Sequence, residues 1–418
     1  MKFHKFTLAN GLRVIFHRDK NTPIAALNLI YDVGAKHEDP EKTGYAHFLE
    51  HLMFEGSANV NDFDLALQKA GASNNAFTNN DFTNYYITLP KQNIETALWV
   101  ESDRMIGLAF DKKKFETQKS VVLEEFKETC LNEPYGDDQM IIRELAYTTH
   151  PYKWATIGKE LSHIENATID DMKSFYDRHY TPDNAILSIG GNFELEYIKE
   201  IVEKWFGDIP RKNLNKKIIA PEPKQTQRRE ISVTRKVPYD VLYMAFHYGD
   251  RLSDDYYIFD ILTDILDDGN SSRLYNRLIK DNEIFDDIEA YISGNNEPGL
   301  VIFSGRPAEG ISLTDAEKYI WNEIEDLQKN LVSKDELMKS INSLEFSLAY
   351  LETQIISKTR SLGFYELLGD ANFINSEKTR YTNITAEHIK EAANRVFRPD
   401  NVSVLHYLSK KTLRKIKN

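Results

Sequence analysis

The sequence predicts an α+β fold made of two homologous domains, each a largely antiparallel sheet flanked by helices. An internal repeat and the order of elements within it carry that expectation. Residues 166–191, NATIDDMKSFYDRHYTPDNAILSIGG, align without a gap with residues 383–408, NITAEHIKEAANRVFRPDNVSVLHYL, at an offset of 217. Each copy reads as a capped helix, then a Pro-Asp-Asn turn, then an apolar strand. Thr168 and Asp171 have the spacing of a capping box. The offset lies near half of the 418-residue length. The repeating unit is therefore a whole domain, far longer than a solenoid repeat.

Within the first copy, residues 6–18 read as a hairpin turning at Asn10-Gly11. Residues 24–33 form an apolar strand. Residues 43–54 read as a helix carrying two histidines, and 62–69 as another helix. Residues 76–89 alternate polar and aromatic side chains, which suits a strand pair. Residues 94–108 and 112–131 read as two further helices, the second long. Several strands are joined by short turns, so parallel βαβ order is not expected and a largely antiparallel sheet fits better. The segment 211–230 holds seven basic residues, two prolines and few large apolar side chains. That composition suits an exposed linker. The expected organisation is an N-terminal domain at 1–212, a linker at 213–229 and a C-terminal domain at 230–418.

The chain is long enough for two cores. Its net charge of -13 argues against a nucleic-acid binder, which usually presents a basic face. No apolar run of about 7–15 residues opens the chain, so no secretory signal is visible. The expectation is a cytoplasmic protein, with a periplasmic location the alternative for a chain trimmed at its start. No stretch approaches ~18 uninterrupted apolar residues, and no membrane span is expected. Cys130 is the only cysteine, which excludes an internal disulfide and a thiolate metal cage.

The stretch GYAHFLEHLMFEG, residues 44–56, sets His47 and His51 one helical turn apart among apolar neighbours. Residues i and i+4 share a helix face, so both rings can address one ion, and imidazole is a preferred zinc ligand. Glu50 stands one step round from His51, within reach of a metal-bound water. Zinc lowers the pKa of such a water toward ~7, and a carboxylate base completes its activation. The plainer alternative is a set of polar groups paired within a core. A catalytic zinc needs a third protein ligand, and the helix FETQKSVVLEEFKET at 115–129 is its best source. Glu125 is expected on the inward stripe with Val121 and Val122, where an unpaired acid is costly. Glu124 falls on the wetter side, and Glu128 is the fallback.

His47-Phe48-Leu49-Glu50-His51 resembles the inverted zinc motif of peptidase family M16. This family comprises the insulinase, mitochondrial-processing-peptidase and pitrilysin metallopeptidases, or inverzincins. In that family a glutamate within a downstream Val-Val-x-Glu-Glu segment completes the site. Here Val121-Val122-Leu123-Glu124-Glu125 matches it, with 73 residues between His51 and Glu125. Asn10-Gly11-Leu12, Gly44, Phe54-Glu55-Gly56, Asn75-Ala76-Phe77-Thr78, His150-Pro151-Tyr152, Gly158 and Tyr180 to Asn184 also fall where such proteins carry similar residues.

The resemblance implies a bacterial-type, M16B-like two-domain zinc endopeptidase of the LuxS/MPP-like metallohydrolase fold. It implies one zinc per chain, held by His47, His51 and Glu125, with Glu50 as general base and later proton donor. It also implies that Asn75, Ala76, Phe77 and Thr78 form a sheet edge on which substrate peptide lies as an added strand.

The chain departs from the family pattern in three places. Gln118 stands seven before the third ligand, where a second glutamate is frequent. DILTDILDDG, residues 260–269, occupies the place of the zinc motif in the second copy and has no histidine. An arginine and tyrosine seven apart, which grip substrate and stabilise the oxyanion in such members, are replaced by Ile279 and Asp286. Arg273 and Arg277 read as helix-surface charges. Similar chains that lack the pair are often half of a heterodimer, so a homologous partner supplying it is expected, with a homodimer as runner-up. The expected activity is cleavage of short or unfolded peptides. The alternative is a non-catalytic core subunit of the same superfamily.

Overall fold

A computed structural model describes residues 1–212 and 218–410. The chain divides into two compact units. The first holds Met1–Lys127, Trp154–Ile219 and Leu348–Ser376, and the second Glu128–Lys153, Ala220–Ser347 and Glu377–Asn418. Of the expected linker, residues 213–217 lie outside the described residues, and Arg229 already opens a strand.

The first unit is built on a six-stranded sheet of β1 (His4–Thr7), β2 (Arg13–Arg18), β3 (Ile24–Tyr31), β4 (Ser73–Thr78), β5 (Thr83–Pro90) and β6 (Ala185–Gly191). Their order is β1-β2-β6-β3-β5-β4, and every neighbouring pair is antiparallel except β2 with β6. The hairpin turns at Gly11 with φ of 92°, where an added Cβ would lie 2.9 Å from Asp183 Cβ. Asn10 locks that turn by donating to the carbonyls of Phe206 at 2.7 Å and Ile209 at 2.9 Å.

The second unit repeats the plan with β7 (Arg229–Arg235), β8 (Val241–His247), β9 (Phe285–Ile292), β10 (Leu300–Pro307) and β11 (Val402–Ser409). Their order, β7-β11-β8-β10-β9, is that of β2-β6-β3-β5-β4, with β7 and β11 again the parallel pair. The aligned stretches fold alike. Helices Ile169–His179 and Ala386–Val396 start at Thr168 and Thr385, each closed by a capping box. A single 3-10 turn follows each helix. Asn184 then donates to the carbonyls of His179 and Asp32, and Asn401 to those of Val396 and His247. One buried amide in each copy thus ties the end of a helix to the end of the neighbouring strand.

Each sheet borrows a helix from the other half of the chain. Helix Asp138–Ala146 packs on β7, β8 and β11, and helix Ile355–Leu367 packs on β3 and β6. Sequence boundaries at 212 and 230 do not anticipate this exchange. Amphipathic patterning says that a helix needs a partner face but not which sheet supplies it. Close approach of helix Ile355–Leu367 depends on Gly363. A Cβ there would stand 2.8 Å from Ser188 Oγ and 3.1 Å from both Asn28 Nδ2 and Ile30 Cδ1. Gly363→Val should therefore destabilise the first unit by about 1–3 kcal/mol through overpacking. A denaturant titration checks this, and an unchanged midpoint would mean that the helix does not dock so tightly.

Candidate metal centre

The histidine helix spans Tyr45–Leu52 and buries Tyr45, Ala46, Phe48, Leu49 and Leu52. Its start lies two residues later than the sequence suggests, because Thr43 is not its cap. Gly44 takes that place with φ of 86°, and no side chain of its own can bond the first turn. The buried Glu38 does so instead, accepting from Gly44 N at 2.9 Å and Ala46 N at 2.8 Å. Its carboxyl oxygens also face the positive end of the helix dipole. Complete burial pushes the Glu38 carboxyl up to about 8, against the lowering effect of those bonds.

The partner helix, Lys112–Phe126, is capped by Asp111, whose side chain accepts from Lys114 N. Phe115, Val122 and Phe126 are its buried residues, and the Phe115 and Phe48 rings meet at 5.3 Å between centroids. This corrects the expected stripe, since Val121 is 45% exposed. At about 100° per residue, Val121 stands about 100° round from Val122, whereas Glu125 is only about 60° away. Glu125 thus lies at the margin of the buried face, not within it, and its side chain is 41% exposed. Glu124 points to solvent and pairs with Lys127, and Glu128 is exposed and outside the cluster.

The two helices bring His47, His51 and Glu125 together, with one donor atom of each lying within 4.8 Å of the others. Glu125 Oε1 is 3.7 Å from His47 Nε2, and Glu125 Oε2 is 3.5 Å from His51 Nε2. Ligands about 2.0–2.1 Å from a tetrahedral zinc stand roughly 3.3–3.5 Å apart, so the two glutamate–histidine separations are close to those such an ion sets, and the chemistry of the three donors suits it. His51 also has its tautomer set. Its Nδ1–H donates to Gln118 Oε1 at 3.3 Å, which turns Nε2 toward Glu125 and leaves that nitrogen to serve a metal. Gln118 is oriented in turn by donating from Nε2 to Glu55 Oε1 at 2.5 Å. Gln118 is thus a hydrogen-bond acceptor for a histidine.

Burial, followed by the neighbouring His51, pushes His47 down to about 4, so its ring is neutral at neutral pH. Burial opposes charge on His51 too, but the Glu125 carboxylate outweighs it and raises that pKa. The bond to His51 holds Glu125 below the usual carboxylate range.

Glu50 lies on the same helix, and burial raises its pKa. Its Oε2 accepts from Thr78 Oγ1 at 2.5 Å. Thr78 ends β4, the edge strand of the sheet, which is paired only with β5 through Asn75↔Tyr86, Ala76↔Tyr85, Phe77↔Asn84 and Thr78↔Thr83. The four edge residues named from sequence thus lie on one open edge that runs up to Glu50. The bond from Thr78, the cap from Glu38 and the Gln118–His51 contact were not legible in sequence. Each joins residues distant along the chain and leaves no local pattern.

A model of the insulinase family (peptidase family M16) matches residues 13–153, and a model of the peptidase M16 inactive domain matches residues 166–344. The chain belongs to peptidase family M16. It is 27% identical over 418 residues to the zinc protease PqqE of Helicobacter pylori, covering 95% of this chain and 90% of that one. It is 26% identical to the uncharacterized zinc protease YmxG of Bacillus subtilis, covering 95% and 96%. Mitochondrial-processing peptidase subunit beta of Saccharomyces cerevisiae is 27% identical over 209 residues, 49% of this chain and 44% of that protein. In fold, the chain resembles the crystal structure of a protease from Helicobacter pylori with a TM-score of 0.90 at 24% identity, over 97% of this chain and 99% of that one.

In the second unit, the helix in the corresponding place, Asp254–Asp267, carries no histidine. Helix Asp254–Asp267 follows β8 as the histidine helix follows β3, and presents Asp260 and Asp264. Arg273 is not a surface charge as the sequence suggests. It is 8% exposed and bonded to Glu336 at 2.6 Å and Asp326 at 3.1 Å. Arg277, more exposed, joins Glu323 and Asp326.

Removing the cap should loosen the M16 histidine helix. Glu38→Ala should cost about 2–3 kcal/mol, since two backbone donors lose their buried carboxyl acceptor. Chemical denaturation of the variant checks this. A loss within about 0.5 kcal/mol, typical of surface changes, would place the helix start under other control.

Proposed function

We propose that the chain is a zinc-dependent endopeptidase that cleaves peptides or unfolded segments. Zinc is held by His47, His51 and Glu125, one ion per chain, and Glu50 is the general base. The observation that supports this best is the convergence of three metal-ligating atoms, with a fourth ionisable group one residue away. When bound, zinc supplies Lewis-acid polarisation and brings the pKa of a water toward ~7.

The rest of the reaction falls to the chain's own residues. The substrate peptide pairs with the open edge of β4 at Asn75, Ala76, Phe77 and Thr78, held by backbone hydrogen bonds. Glu50 takes a proton from the attacking water as its oxygen adds to the scissile carbonyl carbon. The same carboxyl then gives the proton to the leaving amine nitrogen as the C–N bond breaks. Burial raises the Glu50 pKa, which strengthens it as a base. The Thr78 hydroxyl holds one of its oxygens in place, leaving the other for the proton.

Ile279 and Asp286 occupy the sequence positions at which similar chains carry the arginine and tyrosine that grip the oxyanion. Ile279 cannot donate a hydrogen bond, and the Asp286 carboxylate lies 3.5 Å from Arg306 Nε on the neighbouring strand. A homologous M16 subunit bearing that pair is the partner that fits, and a homodimer is the second reading. A non-catalytic core role is less well supported, because the donor set is intact.

Two variants test the chemistry together. Glu50→Gln should retain zinc and lose roughly 10²–10⁴-fold in turnover, whereas His51→Ala should lose the zinc. Metal analysis beside a quenched-peptide digest reads both. Undiminished zinc in His51→Ala, or near-normal turnover by Glu50→Gln, would sink the assignment.

The chain alone should be weakly active, since losing one oxyanion donor typically costs about 10²–10³ in turnover. Size-exclusion chromatography and peptide cleavage, with and without a homologous Arg/Tyr-bearing subunit, test this. Full activity as a monomer or homodimer would rule out the heterodimer.

A further inference from the structure

Side chains of β4 alternate between two environments. Ala76 packs into the large core of the first unit and Thr78 bonds Glu50, so both face the histidine helix. Phe77 points the other way, into a separate cluster with Phe82 and Phe364 beneath helix Ile355–Leu367. A cavity of about 260 Å³ lies on that opposite face, lined by Phe77, Asn84, Ser357, Arg360, Ser361 and Phe364.

Two of these residues point to a ligand. The Arg360 guanidinium lies over the Phe77 ring at 5.2 Å and the Tyr86 ring at 4.8 Å, and among the described residues no carboxylate pairs with it. Asn84 is only 1% exposed, yet neither its Oδ1 nor its Nδ2 meets a hydrogen-bond partner among the described residues. A buried amide left unpaired is costly, and a stacked guanidinium presents a rigid fork suited to a carboxylate.

We propose that this cavity is a specificity subsite that takes an acidic side chain, aspartate or glutamate, of the bound peptide. Arg360 is its charge partner and Asn84 Nδ2 a second donor. The inference rests on the reading that substrate adds as a strand to β4. Successive side chains of an added strand point to opposite faces. One set then faces the metal cluster and the alternate set faces Arg360. Selection for acid at this subsite would be set by a helix that lies more than 300 residues after the zinc motif.

The test reads binding apart from chemistry. Zinc-loaded Glu50→Gln protein is titrated into end-capped, fluorescently labelled decapeptides in which one Glu, Gln or Lys is walked along the sequence. Glu should be preferred over Lys by about tenfold or more, at alternate positions only. Arg360→Ala should flatten that preference, Arg360→Lys should keep part of it, and Arg360→Glu should invert it. Thermal melts confirm that each variant folds. A Glu-to-Lys ratio unchanged in folded Arg360→Glu overturns the subsite, as does failure of every peptide to bind. Parallel digests with the Glu50 chain separate the two proposals. Charge-selective binding without hydrolysis leaves the subsite standing and sinks the peptidase reading. Hydrolysis at equal rates for the Glu and Lys peptides does the reverse.

Discussion

The packing of helix Tyr45–Leu52 against helix Lys112–Phe126 is the contact on which the candidate centre depends. The histidine helix spends its apolar face on helix Lys112–Phe126 and on β4, with Phe48 against Phe115 and Val122 buried on the partner helix. That burial fixes the distance between the helices and leaves the two imidazoles and Glu125 at its margin. The polar groups converge because their apolar neighbours have nowhere else to go. Around them sits a set of orienting bonds: Glu38 sets the start of one helix, Gln118 sets the His51 tautomer, and Thr78 holds Glu50. Each removes a rotational freedom that a reactive site cannot tolerate.

The second unit answers the same frame with different chemistry. The strand connections match those of the first unit, and so do the Asn184 and Asn401 ties between helix and strand. Where the first unit presents histidines, the second presents Asp260, bonded to Tyr381, and nearby a buried Arg273 paired with two half-buried carboxylates. Leaving the buried Arg273 without either carboxylate would be costly, so those charges tie that unit's helices together. The fold tolerates either use because strand pairing and turn geometry, not the contents of one helix face, specify it.

Exchange of helices between the halves has a functional side as well. Helix Ile355–Leu367 covers the outer face of the first sheet and carries Arg360 to the rear of the edge strand. A peptide added at that edge would meet side chains from both ends of the chain, the metal cluster on one face and a cation on the other.

The sequence by itself determined much of this protein, because several of its signals are local. The 217-residue offset disclosed the duplication, and in the first copy the strand and helix periods placed the elements read there within a few residues. The spacing of His47, Glu50 and His51 marked one helix face, which follows from helical geometry alone. Glu125 was legible through its neighbours and the resemblance to M16, although the inward stripe it was expected to share does not include Val121, which faces water. Only the tertiary structure decided which sheet each exchanged helix covers, how Glu38 caps the helix from outside it, and that Gln118 accepts from His51. The same holds for the burial of Arg273 and for the meeting of Arg360 with Phe77. All of these are contacts between residues far apart in the chain. Backbone periodicity gives each residue a direction but not a partner, and partners are chosen only when the apolar faces close.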